Sequence, residues 1–398
     1  MHEHPFRQYS TEILRFDLGE QVEDSRPLPD MPPDRAQQAM LLLLKAWRKE
    51  PRPAIVLTGL GDGTVPRLLD AALPPEVTII ISERDTRRAR EALQDPAAPW
   101  NIQDGRTHLL ADSSPMAHFM LWSLHGLTPG TALLRAVPGG DHRSWTQVRQ
   151  MFNSALPLDV PRAAQTPPLT LAAILAPDDP GLPEFFAQVP PFVHEVLVLW
   201  DGQTPPETGY ACAAPVRHLA RPLNNDFAAQ RNALLSECRT KWILSLDADE
   251  RLSTAGWEAC RRLAARGDAN NAGGFYLPRK TLARDAKAIL TGYGLWPDLQ
   301  LRLFRWTGGL GYERPIHERL TGIRGPFGIA LNTSILHLSH VLKTPEELRR
   351  KLAGFDSAGA GRVNHTLSQD YPTLPTEFFP EIGSADELKA LILPFDPS

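Results

Sequence analysis

Apolar and polar positions along this chain follow two periods, one helical and one extended, and they arrange it as two runs of strand–helix units. Asp34 precedes Arg35–Lys49, in which Ala39, Met40, Leu42, Leu43, Ala46 and Trp47 fall on one side of a helix. The β-branched run Ala54–Thr58 follows, then Gly59, Gly61 and Gly63, a helical segment Val65–Ala72, and a second apolar run, Val77–Ile81, closed by Glu83. Strand, glycine turn, helix and strand describe a βαβ unit with a parallel sheet. Further strands are expected at Thr107–Leu110, ending at Asp112, and at Ala132–Ala136. Pro157, Pro161, Pro167 and Pro168 mark a linker. Beyond it the pattern restarts with Leu169–Leu175, Glu195–Leu199 ending at Trp200-Asp201, and Trp242–Leu246 ending at Asp247.

The expected fold class is therefore α/β with two Rossmann-like domains. Residues 1–33 read as a polar, proline-rich segment wrapping the surface, 34–156 as the first domain and 157–168 as the linker. Residues 169–344 read as the second domain and 345–398 as a C-terminal helix, placed at Glu346–Phe355, and a proline-punctuated tail.

With 398 residues, each half is long enough to bury a core of its own. Lys and Arg number 42 against 46 Asp and Glu, a net charge of −4, which argues against a nucleic-acid partner. The 38 prolines, about twice the usual share, point to many stiff loops. Cys212, Cys238 and Cys260 are too widely spaced for a zinc site and odd in number, so they read as reduced thiols. No window approaches the roughly 20 apolar residues of a membrane span, and the first residues lack the basic and apolar regions of a secretory signal. A cytoplasmic chain is expected, with peripheral contact to the inner membrane face left open.

The most informative stretch is Lys241–Glu250, an apolar strand that stops at paired acids. Acids there stand at the carboxyl end of a parallel sheet, where ligands of α/β folds bind. In extended backbone Asp247 and Asp249 project to one face, and two such carboxylates suit Mg²⁺ or Mn²⁺. The alternative is that they cap the next helix. Upstream, Asn224-Asn225-Asp226 are helix-capping residues, and Phe227, Leu234, Leu235 and Cys238 form an apolar stripe with Arg231 in its middle. An inward arginine calls for a phosphate or carboxylate, unless its head snorkels to solvent. Downstream, Asp298 stands at the entrance to Leu299, Leu301 and Leu303, and Pro315-Ile316-His317-Glu318 follows.

Four segments in this order, Phe227–Asn232, Trp242–Glu250, Trp296–Arg305 and His317-Glu318, match the "FAxQRN", "WILxLDADE", "WPDxQxRLFR" and "HE" patterns. On them, residues of about 168–355 resemble glycosyltransferase family 2, and within it the branch containing lipopolysaccharide-core β-glucosyltransferases. The resemblance implies a GT-A fold and an inverting, metal-dependent transfer of sugar from a nucleotide-sugar donor to a glycan, lipid-linked or protein acceptor. It implies a place in surface-polysaccharide or glycoconjugate synthesis. It implies that Asp249, helped by Asp247, binds the metal–diphosphate, with Mg²⁺ or Mn²⁺ as cofactor. Asp201 would contact the nucleoside, and Arg231 and Asn232 would line the donor pocket. Asp298 matches the catalytic carboxylate, with Glu318 its rival and His317 a metal or phosphate contact. Two stretches depart from the family: Ala176–Pro180 replaces an Asn-Glu-Glu turn, and Asp201–Pro205 replaces a Ser/Gly-Ser-Thr-Asp run. Both bear on the nucleoside pocket.

In the first domain, Gly59, Gly61 and Gly63 follow a strand and Glu83 closes the next, a spacing at which an acid can reach a ribose hydroxyl. The GxGxG pattern resembles an S-adenosylmethionine-dependent methyltransferase fold, in which Asp112 would match an adenine-contacting acid. The competing reading is a Rossmann domain whose glycines only make the turn. Two further functions therefore stand beside glycosyl transfer: a bifunctional enzyme that also methylates with S-adenosylmethionine, and a non-catalytic nucleotide-sugar-binding protein.

Overall fold

The computed structural model describes residues 4–16, 31–138, 142–161, 166–207, 209–315, 318–348, 371–383 and 387–397. The chain forms two compact units. Unit 1 comprises Met1–Ala155 with Leu290–Pro297 and Ser368–Leu374, and unit 2 comprises Leu156–Ile289 with Asp298–Leu367 and Pro375–Ser398.

Unit 1 is built on strands β1 (Ala54–Thr58), β2 (Thr78–Glu83), β3 (Thr107–Ala111) and β4 (Ala132–Ala136). They form a parallel sheet in the order β3-β2-β1-β4. One of its two inner strands, β1, is buried at every position, as expected where both faces of a sheet are covered. The helices of this unit are α1 (Pro5–Leu14), α2 (Pro33–Lys49), α3 (Thr64–Ala72), α4 (Thr86–Leu93), α5 (Pro115–Leu124) and α6 (Thr146–Ser154).

Two expectations for this unit are corrected. Residues 5–14 are a helix and not a surface wrap: proline opens the first turn, and Phe6, Tyr9, Ile13 and Leu14 form a buried stripe. Ser10 ties the helix to β3, donating to the Leu109 carbonyl at 3.0 Å and accepting from the Ala111 amide at 2.9 Å. Residues 17–30 lie outside the described residues. In α2 the buried face is Ala36, Ala39, Met40, Leu43 and Leu44, whereas Leu42, expected inside, is 68% exposed. The true stripe runs i, i+3, i+4, i+7, i+8 from Ala36 and leaves Leu42 on the opposite side.

Unit 2 contains β5 (Leu156–Leu158), β6 (Leu169–Leu175), β7 (Glu195–Trp200), β8 (Val216–Ala220), β9 (Trp242–Ser245), β10 (Glu250–Arg251) and β11 (Gly274–Thr281). After β12 (Ala288–Leu290), at a crossing between the units, come β13 (Asp298–Arg305), β14 (Gly311–Glu313), β15 (Arg319–Thr321), β16 (Phe327–Ala330) and β17 (Ile335–His337). A second crossing strand, β18 (Thr373–Pro375), precedes β19 (Ala390–Leu393). The helices are α7 (Leu182–Ala187), α8 (Phe227–Ser236), α9 (Thr254–Ala269) and α10 (Ser339–Leu342).

The main sheet runs β5-β19-β16-β11-β13-β9-β6-β7-β8, with β17 joining β10 to β11. β8, β7, β6 and β9 are mutually parallel, and β13 then inserts antiparallel between β9 and β11. The expected α/β class with two Rossmann-like sheets is the one observed. The core of unit 2 gathers Trp200, Trp242, Trp257 and Phe275, all at most 1% exposed. Gly267 is required there, because a Cβ on it would lie 2.5 Å from the Trp242 ring.

The C-terminal tail and the linker both prove partly structural. β19 pairs with β16 on one side and β5 on the other, so residues read as connection and tail extend the sheet. Residues 162–165 lie outside the described residues. The helix placed at Glu346–Phe355 is seen as α-helix over 345–348, and 349–355 lie outside the described residues.

Candidate functional site

The parallel strands of unit 2 end on a cluster of acids interlocked with arginines. β9 delivers Asp247 just beyond its carboxyl end. The Asp247 amide donates to Glu250 Oε2 at 3.0 Å, which folds the Asp247–Glu250 turn back on itself. Asp247 Oδ1 accepts from Arg231 Nη2 at 3.0 Å, and Oδ2 accepts from Arg302 Nη2. Burial alone would raise this carboxyl, but Arg302 and Arg231 overcome it and hold Asp247 well below the usual carboxylate range.

Arg231 reaches the cluster because of how α8 begins. Asn224 and Asn225 adopt left-handed backbone, which asparagine tolerates, and Asp226 caps the helix by accepting from the Ala229 amide at 2.8 Å. This start turns Arg231 inward, where it donates to Glu318 Oε1 at 2.6 Å and Ser245 Oγ at 3.1 Å as well as to Asp247. Its guanidinium also lies 5.5 Å from the centre of the Tyr312 ring. Asn232 faces elsewhere. Its amide donates to the Tyr312 carbonyl at 2.9 Å and accepts from the Tyr312 amide at 2.7 Å, so it pins β14 to α8.

Arg302 and Arg279 were not assigned roles from the sequence. Arg302 sits on β13, buried, and donates to Glu250 Oε1 at 2.7 Å as well as to Asp247. Arg279, on the neighbouring β11, forks onto Asp298 Oδ2 with Nε at 2.7 Å and Nη2 at 2.6 Å. Gln300 donates to the other oxygen of Asp298 at 2.5 Å. Strand pairing places Arg279 directly opposite Asp298. Asp201, at the end of β7, accepts from the Leu223 amide at 2.8 Å. His317 lies outside the described residues.

Asp249 faces a different set. β10 pairs with β17 so that Glu250 lies opposite His337, and the Leu338 amide donates to the Asp249 carbonyl at 2.8 Å. Asp249 Oδ2 accepts from Ser339 Oγ at 2.6 Å and Lys343 Nζ at 3.2 Å. His337 Nε2 is 3.7 Å from Asp249 Oδ1 and 2.8 Å from Ser339 Oγ, while its Nδ1 is 3.1 Å from Thr281 Oγ1. The segment Ile335–His337 gave no sequence signal for this role, because strand pairing alone brings it to Asp249. The two acids of the pair thus differ: Asp247 is clamped by two guanidiniums, and Asp249 sits beside an ammonium, a hydroxyl and an imidazole.

Among the described residues no group of three or more His, Cys, Asp or Glu is arranged to hold a metal ion. The donor chemistry at Asp249 nonetheless suits a divalent cation, because the carboxylate has the Ser339 hydroxyl and the His337 imidazole beside it. At Asp247 both oxygens are taken by arginine, so that half of the expected metal pair does not fit.

The candidate cofactor residues of unit 1 bond to their own fold. Gly59, Gly61 and Gly63 all adopt left-handed backbone, and Gly63 opens α3 with a φ of +85°. Glu83 Oε2 accepts from the Leu60 amide inside this glycine turn at 2.8 Å, and Oε1 accepts from the Asp85 amide at 2.8 Å. Asp112 accepts from the buried Tyr9 hydroxyl at 2.6 Å and the Ser114 amide at 2.7 Å. Burial pushes Asp112 up to about 7 in spite of these bonds, and raises Glu83 for the same reason.

Residues 184–318 match the family model described as Glycosyl transferase family 2, the class its motifs resemble. A TPR repeat-containing protein of Synechococcus elongatus is 30% identical over 150 residues, covering 38% of this chain and 34% of that protein. The chain thus spans about a third of the length of this curated relative. Among solved structures, S. aureus TarS 1-349 is similar at 13% identity over 35% of this chain and 47% of that one, with a TM-score of 0.23. Its complex with UDP-GlcNAc is similar at 15% identity over 29% and 35%, also with a TM-score of 0.23. A TM-score that low carries no argument about this chain.

Proposed function

We propose that unit 2 transfers a sugar, with inversion, from a nucleoside-diphosphate donor to a hydroxyl of a glycan, lipid-linked or protein acceptor in glycoconjugate or surface-polysaccharide synthesis. The observation that carries this reading is the acid–arginine cluster at the carboxyl end of β9, inside the stretch the family model matches. A cytoplasmic location with peripheral contact to the inner membrane face belongs to the same reading.

In this reading Asp201 and Asp247 face the nucleoside side of the donor. Arg231 and Arg302 hold Asp247 ionised and rigid, so its oxygens need no reorganisation when the donor arrives. Asn232 acts at one remove, by fixing β14 against α8. Asp249 and His337 would hold a divalent cation, Mg²⁺ or Mn²⁺, which when bound supplies Lewis-acid stabilisation of the departing diphosphate. Asp298 takes the proton of the attacking acceptor hydroxyl, and the fork from Arg279 holds its carboxylate at the entrance of β13. Glu318, bonded to Arg231, is the rival base. Unit 1 serves as a structural Rossmann domain, since Glu83 and Asp112 are bonded to its own amides and to Tyr9.

The test is turnover of nucleotide sugars by the full chain. Asp298→Asn is expected to lower turnover by roughly 10²–10⁴-fold with the donor KM near wild type, and Glu318→Gln to lower it less. The reverse order gives Glu318 the base role. Failure of the wild type to turn over or hydrolyse any nucleotide sugar refutes glycosyl transfer.

A further inference from the structure

Asp249 and Asp247 stand two residues apart, yet their cationic partners differ in kind. Asp247 is held by two guanidiniums, planar forks that bind a carboxylate in a fixed geometry. Asp249 Oδ2 meets the ammonium of Lys343, at the end of a flexible four-carbon stem, and the charge of the Arg251 guanidinium also acts on it. Lys343 lies at the C-terminal cap of the short helix α10, where the backbone turns from helical to extended. Its side chain is 17% exposed, against 8% for Asp249, so the ammonium approaches from the solvent side. Asp179, whose carboxylate accepts from the Ala176 amide at 2.7 Å, also feels the Lys343 charge. The ammonium therefore has a second acid nearby to which it can turn. Two further neighbours of Asp249, the Ser339 hydroxyl and the His337 imidazole, are donors that a divalent cation accepts as ligands.

An ammonium and a divalent cation cannot share one carboxylate edge, because they repel each other and need the same lone pairs. We propose that Lys343 and the divalent cation compete for Asp249, the ammonium holding the acid in the metal-free protein. Lys343 then sets the metal concentration at which the site loads and balances the charge of Asp249 until it does. The proposal rests on the reading of Asp249 as the metal-binding acid.

Mn²⁺ binding to the full chain, followed by the loss of the free-ion electron paramagnetic resonance signal, tests it without any donor or turnover. Lys343→Met and Lys343→Gln are each expected to bind Mn²⁺ at least tenfold more tightly than wild type. Lys343→Arg, which keeps the charge, is expected to stay near wild type. Adding Asp249→Asn to any of these should remove the site. Tightening of less than threefold in both neutral variants, with binding still dependent on Asp249, overturns the competition and leaves the metal role of Asp249 standing. Mn²⁺ binding that ignores Asp249 in every background overturns both.

Discussion

Asp112 follows β3 in unit 1 much as Asp247 follows β9 in unit 2, and each accepts hydrogen bonds on both of its oxygens. The donors differ. Asp112 receives a phenol hydroxyl and a backbone amide, both neutral, so burial dominates and its carboxyl rises to about 7. Asp247 receives two guanidiniums, and its carboxyl falls well below the usual range. A strand-end acid is thus not a ligand site by position alone. Neutral donors from the same fold turn it into an internal bond, whereas cations keep it ionised.

The largest expected effect comes from stripping charge from the second site. Arg302→Met leaves Asp247 and Glu250 facing each other with one partner gone, and removing one member of a buried pair costs about 3–5 kcal/mol. A denaturant melt of the variant should show this loss in the unit 2 transition. A loss below about 1 kcal/mol would mean that the cluster is more hydrated than its burial implies.

A smaller effect is expected in unit 1. Tyr9→Phe removes the hydroxyl from a buried acceptor and should cost about 1–3 kcal/mol. The pH dependence sharpens the contrast. Asp112 has a folded-state value of about 7, above the ordinary carboxyl value of 3.8, so the neutral carboxyl is the form that folding favours. Its stabilising contribution is complete below the unfolded value and is lost as pH rises from about 4 through about 7. Asp247 behaves oppositely: its contribution is complete above the unfolded value and is lost as pH falls through its depressed folded value. Asp112→Asn should flatten the fall in unit 1 stability between pH 4 and 7, read from melts at each pH. An unchanged slope would show that Asp112 is ionised in the fold.

Much of the architecture was legible because strands of parallel sheets, covered on both faces, read as plain apolar runs. β1, β4 and β6 lie where the pattern put them. Helix α1 was hidden because its stripe is short and set among Arg7, Gln8, Thr11 and Glu12. β5 and β19 are three and four residues long, and only their pairing with each other and with β16 makes them strands. In the site, Asp247, Asp249 and Arg231 announced themselves by ending a strand or interrupting an apolar face. The Asp249 partners could not be read, since His337, Ser339 and Lys343 arrive through the pairing of β10 with β17. The bonds of Asn232 to Tyr312 could not be read for the same reason, as Tyr312 lies on a strand far along the chain.

The central claim is that the nucleotide-sugar site lies in unit 2 and not in unit 1. Hydrogen exchange of the full chain, with and without a panel of nucleoside-diphosphate sugars in Mn²⁺, tests it most directly. Bound donor should slow exchange in the segments around Asp201 and Asp247–Glu250, with no change at Gly59–Gly63 or Glu83, and Asp249→Asn should abolish the protection. Protection at Gly59–Gly63, or protection around Asp247 that survives Asp249→Asn, would contradict the account.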